Sequence, residues 1–470
     1  MKKTKRQLNL YTFMDFPAME RHLEKMAARG WMIDKAESAI WRYRRIEPRK
    51  LHFTVTFFPK ASAYDPGPSE AQRTMWDFAE QSGWKLAAQA AQWQFFYNEE
   101  DDPVPMETDA AVQVENIRRT ARRGMIPQHG ILMVLAVLQL LLQFSQFRRN
   151  PLDFLTGSSG MMAVVCWLTV IFLGAWEMGT YFRWRRQAVA LAESEGIFLT
   201  PSVSTRWVSV AALGVLFVTL GLWLASLLKA AMLRAAVFGG LYAAVVFVIV
   251  RLLMKGMKKL GVSAKTNLIV TLVGSFVLAM ALIGVLVWGV LENPGKLLYD
   301  DGAAGTYLYQ GEEREYYEDE LPLRVEDLVS VEYNEYSSRW RGEVGWLLEQ
   351  WNGHQWPRLG APGYSTLPKL DYTVTEVKLP LLYSACKGWL LAEQDELGDA
   401  RIPEGFKNVY EPVDAAPWGA KEVYRLCNQG TGPMDWYLLC YPGRIVEITF
   451  YDLSLTEEDM AVVGRQLGGE

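Results

Sequence analysis

The side chains whose type and spacing ask for a chemical explanation are Trp31, Trp41, Trp84 and Trp93, followed by Glu177 inside an apolar run. In "AARGWMIDKAESAIWRYRR", from Ala27, and "EQSGWKLAAQAAQWQFFYNE", from Glu80, a helix-like lead ends in Gly-Trp and a second Trp follows about ten residues on. The copies lie about fifty residues apart, a period at which internal repeats are sought. Such tryptophans either belong to a core, where aromatics dominate, or line a face that takes a small apolar ligand or partner. Glu177, in "GAWEMGTYF", is the only acidic side chain within the long apolar runs. Beside Arg183 it reads as an interfacial carboxylate that reaches water or pairs with an arginine. A coupling or gating carboxylate is the alternative.

Enzyme signatures are missing from the sequence. It has no G-x-S-x-G, Walker A, H-E-x-x-H or Rossmann glycine pattern in strand-helix context. His22, His52, His129 and His354 are scattered without zinc-like spacing, and His354, in "WNGHQWPRLG", reads as a loop histidine with no carboxylate or nucleophile beside it in sequence. The acidic run "GEEREYYEDELPLRVEDL" lacks EF-hand spacing and reads as a solvated segment. Cys166 reads as a small hydrophobe in an apolar run. Cys386, Cys427 and Cys440 allow at most one disulfide, Cys386–Cys440 or Cys427–Cys440, with buried free thiols the favoured reading. The expectation is a protein that is not an enzyme, with no cofactor, metal or catalytic residue to name. An envelope enzyme using late carboxylates stays open as an alternative.

The elements that would position these residues fall into parts. A chain of 470 residues exceeds one ordinary domain, and about three units are expected. The net charge is about −17 from Glu292 onward and about +12 before it, an asymmetry worth more than the whole-chain value. Apolar runs at Gly130–Phe147, Gly160–Phe182, Trp207–Leu228, Ala231–Leu253 and Asn267–Leu291 are long enough to span a bilayer, which needs about 20 residues and tolerates about 17. Arg118, Arg119, Arg122 and Arg123, then Arg183, Arg185, Arg186 and Arg206, then Arg251, Lys255, Lys258, Lys259 and Lys265 all fall on one side. By the positive-inside bias this predicts a multi-pass plasma-membrane protein with its N-terminus in the cytosol and its C-terminus outside. No secretory signal is expected at the N-terminus, where the basic start lacks an apolar stretch.

Before the first span, "QLNLYTFMD" reads as a strand, and "FPAMERHLEKMAARG" as a helix with Pro17 in its first turn and Gly30 at its end. Extended segments follow, broken at Glu47 and Pro48; then come a helix over Ser69–Ser82, with Met75, Trp76, Phe78 and Ala79 on its apolar side, and a last strand region. The order β, α, β, β, α, β is that of a ferredoxin-like split βαβ sheet. The expected organisation is a cytosolic ferredoxin-like domain at 1–99, a basic juxtamembrane linker at 100–129, a five-helix transmembrane bundle at 130–291 and an acidic extracytoplasmic α+β domain at 292–470. In the last, "KLPLLYSACKGWLLAEQ" reads as a helix opened by Pro380, "KEVYRLCNQGTGPMDWYLLCYPGRIVEITFY" as three strands, and Ser454 with Glu457 as a capping box.

From about Lys5 to Glu99, roughly a fifth of the chain, "RHLEKMAARGWMIDKA", "RYRRIEP", "HFTVTFFPK" and "AEQSGWKL" resemble the bacterial family catalogued as domain of unknown function 2812. Members commonly precede membrane helices and often stand beside PadR-type transcriptional regulators. The resemblance implies a regulatory or sensing role and supplies no catalytic residues. The partners expected are the lipid bilayer, a cytosolic transcriptional regulator and an envelope ligand or protein, without direct nucleic-acid binding. An accessory subunit of a transport or export system is the rival reading, resting on Glu177 and small-residue positions such as Ala175 with Gly179.

Overall fold

The computed structural model describes residues 3–37, 40–202, 205–229, 233–292, 302–331 and 335–469. Ser38 and Ala39 of the first Gly-Trp stretch, the expected start of the fourth span at Ala231, and residues 293–301 at the head of the C-terminal domain lie outside them. The chain divides into two compact units. One comprises Met1–Leu141, Val164–Thr219 and Gly239–Trp288, and the other Leu142–Ala163, Leu220–Phe238 and Gly289–Glu470.

The first unit begins with one pattern used twice. Strand β1 (Thr4–Leu8), helix α1 (Phe16–Ala28) and strands β2 (Trp31–Ala36) and β3 (Ile40–Arg45) are followed by β4 (His52–Phe57), α2 (Glu70–Gln81), β5 (Lys85–Ala90) and β6 (Trp93–Asn98). Both helices end at a glycine in the left-handed region, Gly30 at φ 79° and Gly83 at φ 81°, a conformation that L side chains disfavour. Pairing is antiparallel in the orders β1-β3-β2 and β4-β6-β5. The bulges repeat too, between Ile33 and Lys35 in β2 and between Leu86 and Ala88 in β5. The expected split βαβ sheet is therefore corrected to two three-stranded sheets. Each stretch after a Gly-Trp reads as one extended region because its turn carries no Gly or Pro. It nevertheless folds back as a hairpin, through the Glu37 N–H donated to the Ile40 carbonyl in the first copy and through Ala91 at φ 52° in the second.

Packing follows the helical period. Met19, Leu23, Met26 and Ala27 of α1 are buried, while on α2 Ala79 is buried and Phe78, expected on the apolar side, is 68% exposed. Glu20 and Glu24 of α1 reach over to β4, where their carboxylates accept the N–H groups of Val55 (2.8 Å) and Phe53 (3.4 Å). Residues four apart on a helix are about 6 Å apart and residues two apart on a strand nearly 7 Å. The two carboxylates thus match the free edge of the sheet and cover donors that would otherwise recruit another strand.

Helix α3 (Ala110–Arg123) lies in the linker stretch, and its Val114, Ile117 and Ala121 are buried in the same core as Trp41, Tyr43 and Phe95. Arg118 and Arg119 are both engaged by Glu115. Then come α4 (Met125–Arg149), α5 (Pro151–Thr156), α6 (Ser158–Ser194), α7 (Arg206–Lys229), α8 (Leu233–Lys259) and α9 (Ala264–Glu292). Among the described residues five helices are long and apolar enough to cross a membrane, those containing α4, α6, α7, α8 and α9. Helix α6, with 37 residues, is roughly 55 Å long against a hydrocarbon thickness of about 30 Å. Its surplus is not idle, because Tyr181, Trp184 and Ala188 are buried in the core that holds Phe13 and α1.

In the second unit β9 (Tyr336–Val344), β10 (Leu348–Pro357), β11 (Lys369–Val377), β12 (Asn408–Val413), β13 (Glu422–Asn428), β14 (Gly432–Tyr441) and β15 (Arg444–Tyr451) form an antiparallel sheet in the order β12-β13-β14-β15-β11-β10-β9. One face carries Val446, Ile448 and Phe450 against Trp418 and the terminal helix Glu457–Leu467. The other carries Cys440 and Ile445 against Leu390 of the helix Tyr383–Gln394 and against Leu152 and Leu155 of α5. The terminal helix is capped by Thr456 with Asp459, two residues later than the Ser454–Glu457 box expected. All four cysteines are free, with Cys386 and Cys440 buried, so neither pairing considered is formed.

Candidate functional site

The loop between β1 and α1 fixes the N-terminal elements to the ends of the apolar helices. Asp15, 2% exposed, accepts hydrogen bonds at 2.9 Å from the Thr12 N–H and from both the backbone N–H and the hydroxyl of Thr205, just ahead of α7. Thr12 and Thr205 also meet hydroxyl to hydroxyl. Two residues before Asp15, the Phe13 N–H donates to Glu177 Oε1 at 2.9 Å. On α9 the side chain of Asn267, fully buried, donates to the Tyr64 carbonyl at 3.0 Å.

Glu177 lies on α6 with its side chain 13% exposed, and its other oxygen is 3.1 Å from Nε2 of His129 on α4. Nδ1 of the same imidazole faces the Met125 carbonyl at 2.9 Å. Both ring nitrogens thus look at oxygen acceptors, which an imidazolium satisfies with two donated hydrogen bonds. Sequence left Glu177 either reaching water or pairing with an arginine; the nearby Arg183 donates to the Gly179 carbonyl. The histidine was not identifiable from sequence. Its one signal was its place immediately before the first apolar run.

These groups border a cavity of about 1450 Å³, larger than the several hundred Å³ usual for small-ligand sites. Trp41, Trp93, Tyr11 and Phe13 supply aromatic surface, with Tyr11 stacked on Trp41 at 5.7 Å and Trp93 stacked on Phe95 at 6.4 Å. Helix α8 supplies the opposite character with Arg251, Lys255 and Lys258. Of the sequence candidates, then, Trp41, Trp93 and Glu177 border one cavity. Trp31 and Trp84 do not. Trp31 lies under the Arg45 guanidinium, 5.0 Å from the ring centre, while Trp84 is buried and donates its indole N–H to the Val104 carbonyl at 2.9 Å.

Trp84 borders a second, smaller cavity of about 320 Å³, together with Glu20, Glu24, His52 and Glu107. Burial pushes the Glu20 carboxyl up to about 7, against the hydrogen bond from Val55 that favours its charged form, and burial raises Glu107 as well. In the second unit His354 belongs to β10 and not to a loop. The antiparallel register puts it opposite Asp371, whose Oδ1 lies 2.5 Å from His354 Nδ1 and accepts the Trp356 indole N–H at 2.9 Å. Among the described residues no group of three or more His, Cys, Asp or Glu side chains is placed to hold a metal ion.

Residues 15–126 match the family described as protein of unknown function (DUF2812). The match starts at the buried Asp15 and ends just after α3, so it takes in both strand-helix-strand-strand copies except β1. No curated protein and no solved structure matches the chain.

Proposed function

We propose that this is a multi-pass plasma-membrane protein that senses or transmits, in which the N-terminal repeat domain is a cytosolic regulatory module and the C-terminal domain meets an envelope ligand or protein. The observation that carries the reading is the set of hydrogen bonds tying one short stretch, Thr12 to Asp15, to α6 and to the residue ahead of α7 beside a large cavity. A displacement of those helices changes the partners of Asp15 and Glu177, so a helix movement is converted into a change in how the repeat domain is held. The partner proposed on the inner side is a transcriptional regulator, which is what the family resemblance of the N-terminal sequence implies.

The test is genetic. In a host strain, transcripts of the genes flanking this one are compared between cells making the full chain, cells making the D15A variant and cells lacking residues 1–129. The expected outcome is a changed transcript level in the deletion and a partial change in D15A. Identical transcript profiles in all strains, under both resting and envelope-stressed growth, would remove the regulatory reading.

A further inference from the structure

The large cavity has a graded wall. On α8, Phe247, Val250, Arg251, Met254, Lys255 and Lys258 recur at spacings of three and four and so share one helical face. Along that face the residues turn from apolar to basic within about two turns, and Phe247 is 61% exposed. Such a gradient matches the step from acyl chain to headgroup at a bilayer surface, where basic side chains attract anionic lipid at about 1 kcal/mol each. Arg251 lies 4.0 Å from Glu37. Lys255 and Lys258 form no ion pair among the described residues, so two cationic heads remain for an anion. Trp41, Trp93 and Phe13 supply aromatic lining, and the three acidic groups of the wall are each engaged elsewhere: Glu37 lies 4.0 Å from Arg251, Asp65 accepts the Ser62 N–H at 2.6 Å, and Glu177 is held by His129 and Phe13.

We propose that this cavity binds one anionic phospholipid of the surrounding leaflet, its phosphate at Lys255 and Lys258 and its glycerol and upper acyl chains against Trp41, Trp93, Phe247 and Val250. Entry is lateral, along the face of α8. The inference rests on the reading that the five apolar helices cross a bilayer, and it extends the proposed function by naming what the inner site responds to. An occupied cavity separates the repeat domain from α8 by a lipid.

The test uses the full chain in nanodiscs of phosphatidylcholine with a tenth of phosphatidylglycerol, followed by gentle delipidation and mass spectrometry of the intact protein. Wild type is expected to retain one phosphatidylglycerol. K255Q/K258Q is expected to retain at least tenfold less, and V250W, which fills the cavity without changing charge, is expected to lose it too. R185Q/R186Q removes two charges from α6 residues that do not line the cavity and is expected to retain the lipid. Equal loss in R185Q/R186Q and K255Q/K258Q would reduce the effect to general surface attraction and overturn the proposal. Retention of phosphatidylcholine in place of phosphatidylglycerol would overturn it, as would saturable binding of soluble octyl phosphate with no lipid retained. None of these readouts depends on a cellular response, so failure here leaves the transcript test of the regulatory reading standing, and failure there leaves this one.

Discussion

Glu177 on α6 and Phe13 in the β1–α1 loop are joined by a 2.9 Å hydrogen bond across 164 residues of chain, from the Phe13 N–H to the carboxylate that also faces His129. One side chain thereby holds two apolar helices and the repeat domain in register. Replacing Glu177 by Ala leaves a backbone N–H and an imidazole N–H without their acceptor in a largely enclosed place, at a cost of about 1–3 kcal/mol. Glu177→Gln keeps an acceptor and is expected to lose less. Thermal unfolding of the purified chain in detergent should rank wild type above E177Q and E177Q above E177A, with faster hydrogen exchange in residues 9–16. Equal midpoints for all three proteins would show that the carboxylate holds nothing together.

Asp15 and Thr205 form the second tie, with three donors at 2.9 Å on one buried carboxylate. The single substitutions D15A and T205V remove parts of the same network, so their effects should not add. A double-mutant cycle on the thermal midpoint is expected to give a coupling of about 0.5–3 kcal/mol, the range for residues in direct contact. Simple additivity would mean that Thr205 contributes only through its backbone N–H.

Glu20 gives a pH dependence with a definite sign. Its carboxyl is raised to about 7 in the folded chain from an ordinary value of 4.5. Between those values the folded state binds a proton that the unfolded state does not, so the local structure loses stability as pH rises through this window. Glu20→Gln keeps an acceptor for the Val55 N–H and removes the charge. It is expected to match wild type near pH 4.5 and to be more stable at pH 8 by something on the order of 1–2 kcal/mol, discounting the full shift for partial exposure. Hydrogen exchange of residues 52–57 in both proteins, compared at each pH, reads this directly. A difference that is the same at both pH values would contradict the assignment.

The thiols of the second unit should separate by reactivity. Burial pushes Cys440 up to about 11 and also raises Cys386, and both are enclosed by the sheet and the helix Tyr383–Gln394. Partial burial and the Glu411 carboxylate, 3.5 Å away, raise the Cys427 thiol too, so what sets it apart is access, since it is partly exposed. A maleimide at pH 7 is expected to modify Cys427 in the folded protein and to reach Cys386 and Cys440 only after unfolding, because the thiolate is the nucleophile. Rapid labelling of Cys440 in the native chain would show that the face under that helix opens. In intact cells, labelling of Cys427 by a membrane-impermeant reagent is the outcome the proposed topology requires.

Helix α1 was legible almost to the residue, since Pro17, the apolar spacing and Gly30 are local signals, and α2 was legible from Ser69 and Gly83. The apolar helices were legible because length and lack of charge are also local quantities. Strand pairing was not. The hairpin turns after Ala36 and Ala90 have no Gly or Pro, so two strands read as one and the sheet came out with the wrong number of strands. Phe78 read as buried because it falls near the apolar side of α2, but that helix covers its sheet only along the Gln72, Met75 and Ala79 side.

The site divides along the same line. The residue types in the sequence determined that the chain repeats a Gly-Trp unit, carries five membrane-length apolar helices and places a lone carboxylate near the end of one of them, since composition and period act over a few turns of chain. Only the tertiary structure decided that Glu177 meets His129 and Phe13, that His354 meets Asp371, and that Trp41 and Trp93 share a cavity while Trp31 and Trp84 do not. These are contacts between segments from 17 to 164 residues apart. They are set by packing and by the need to satisfy buried donors, which no local pattern encodes.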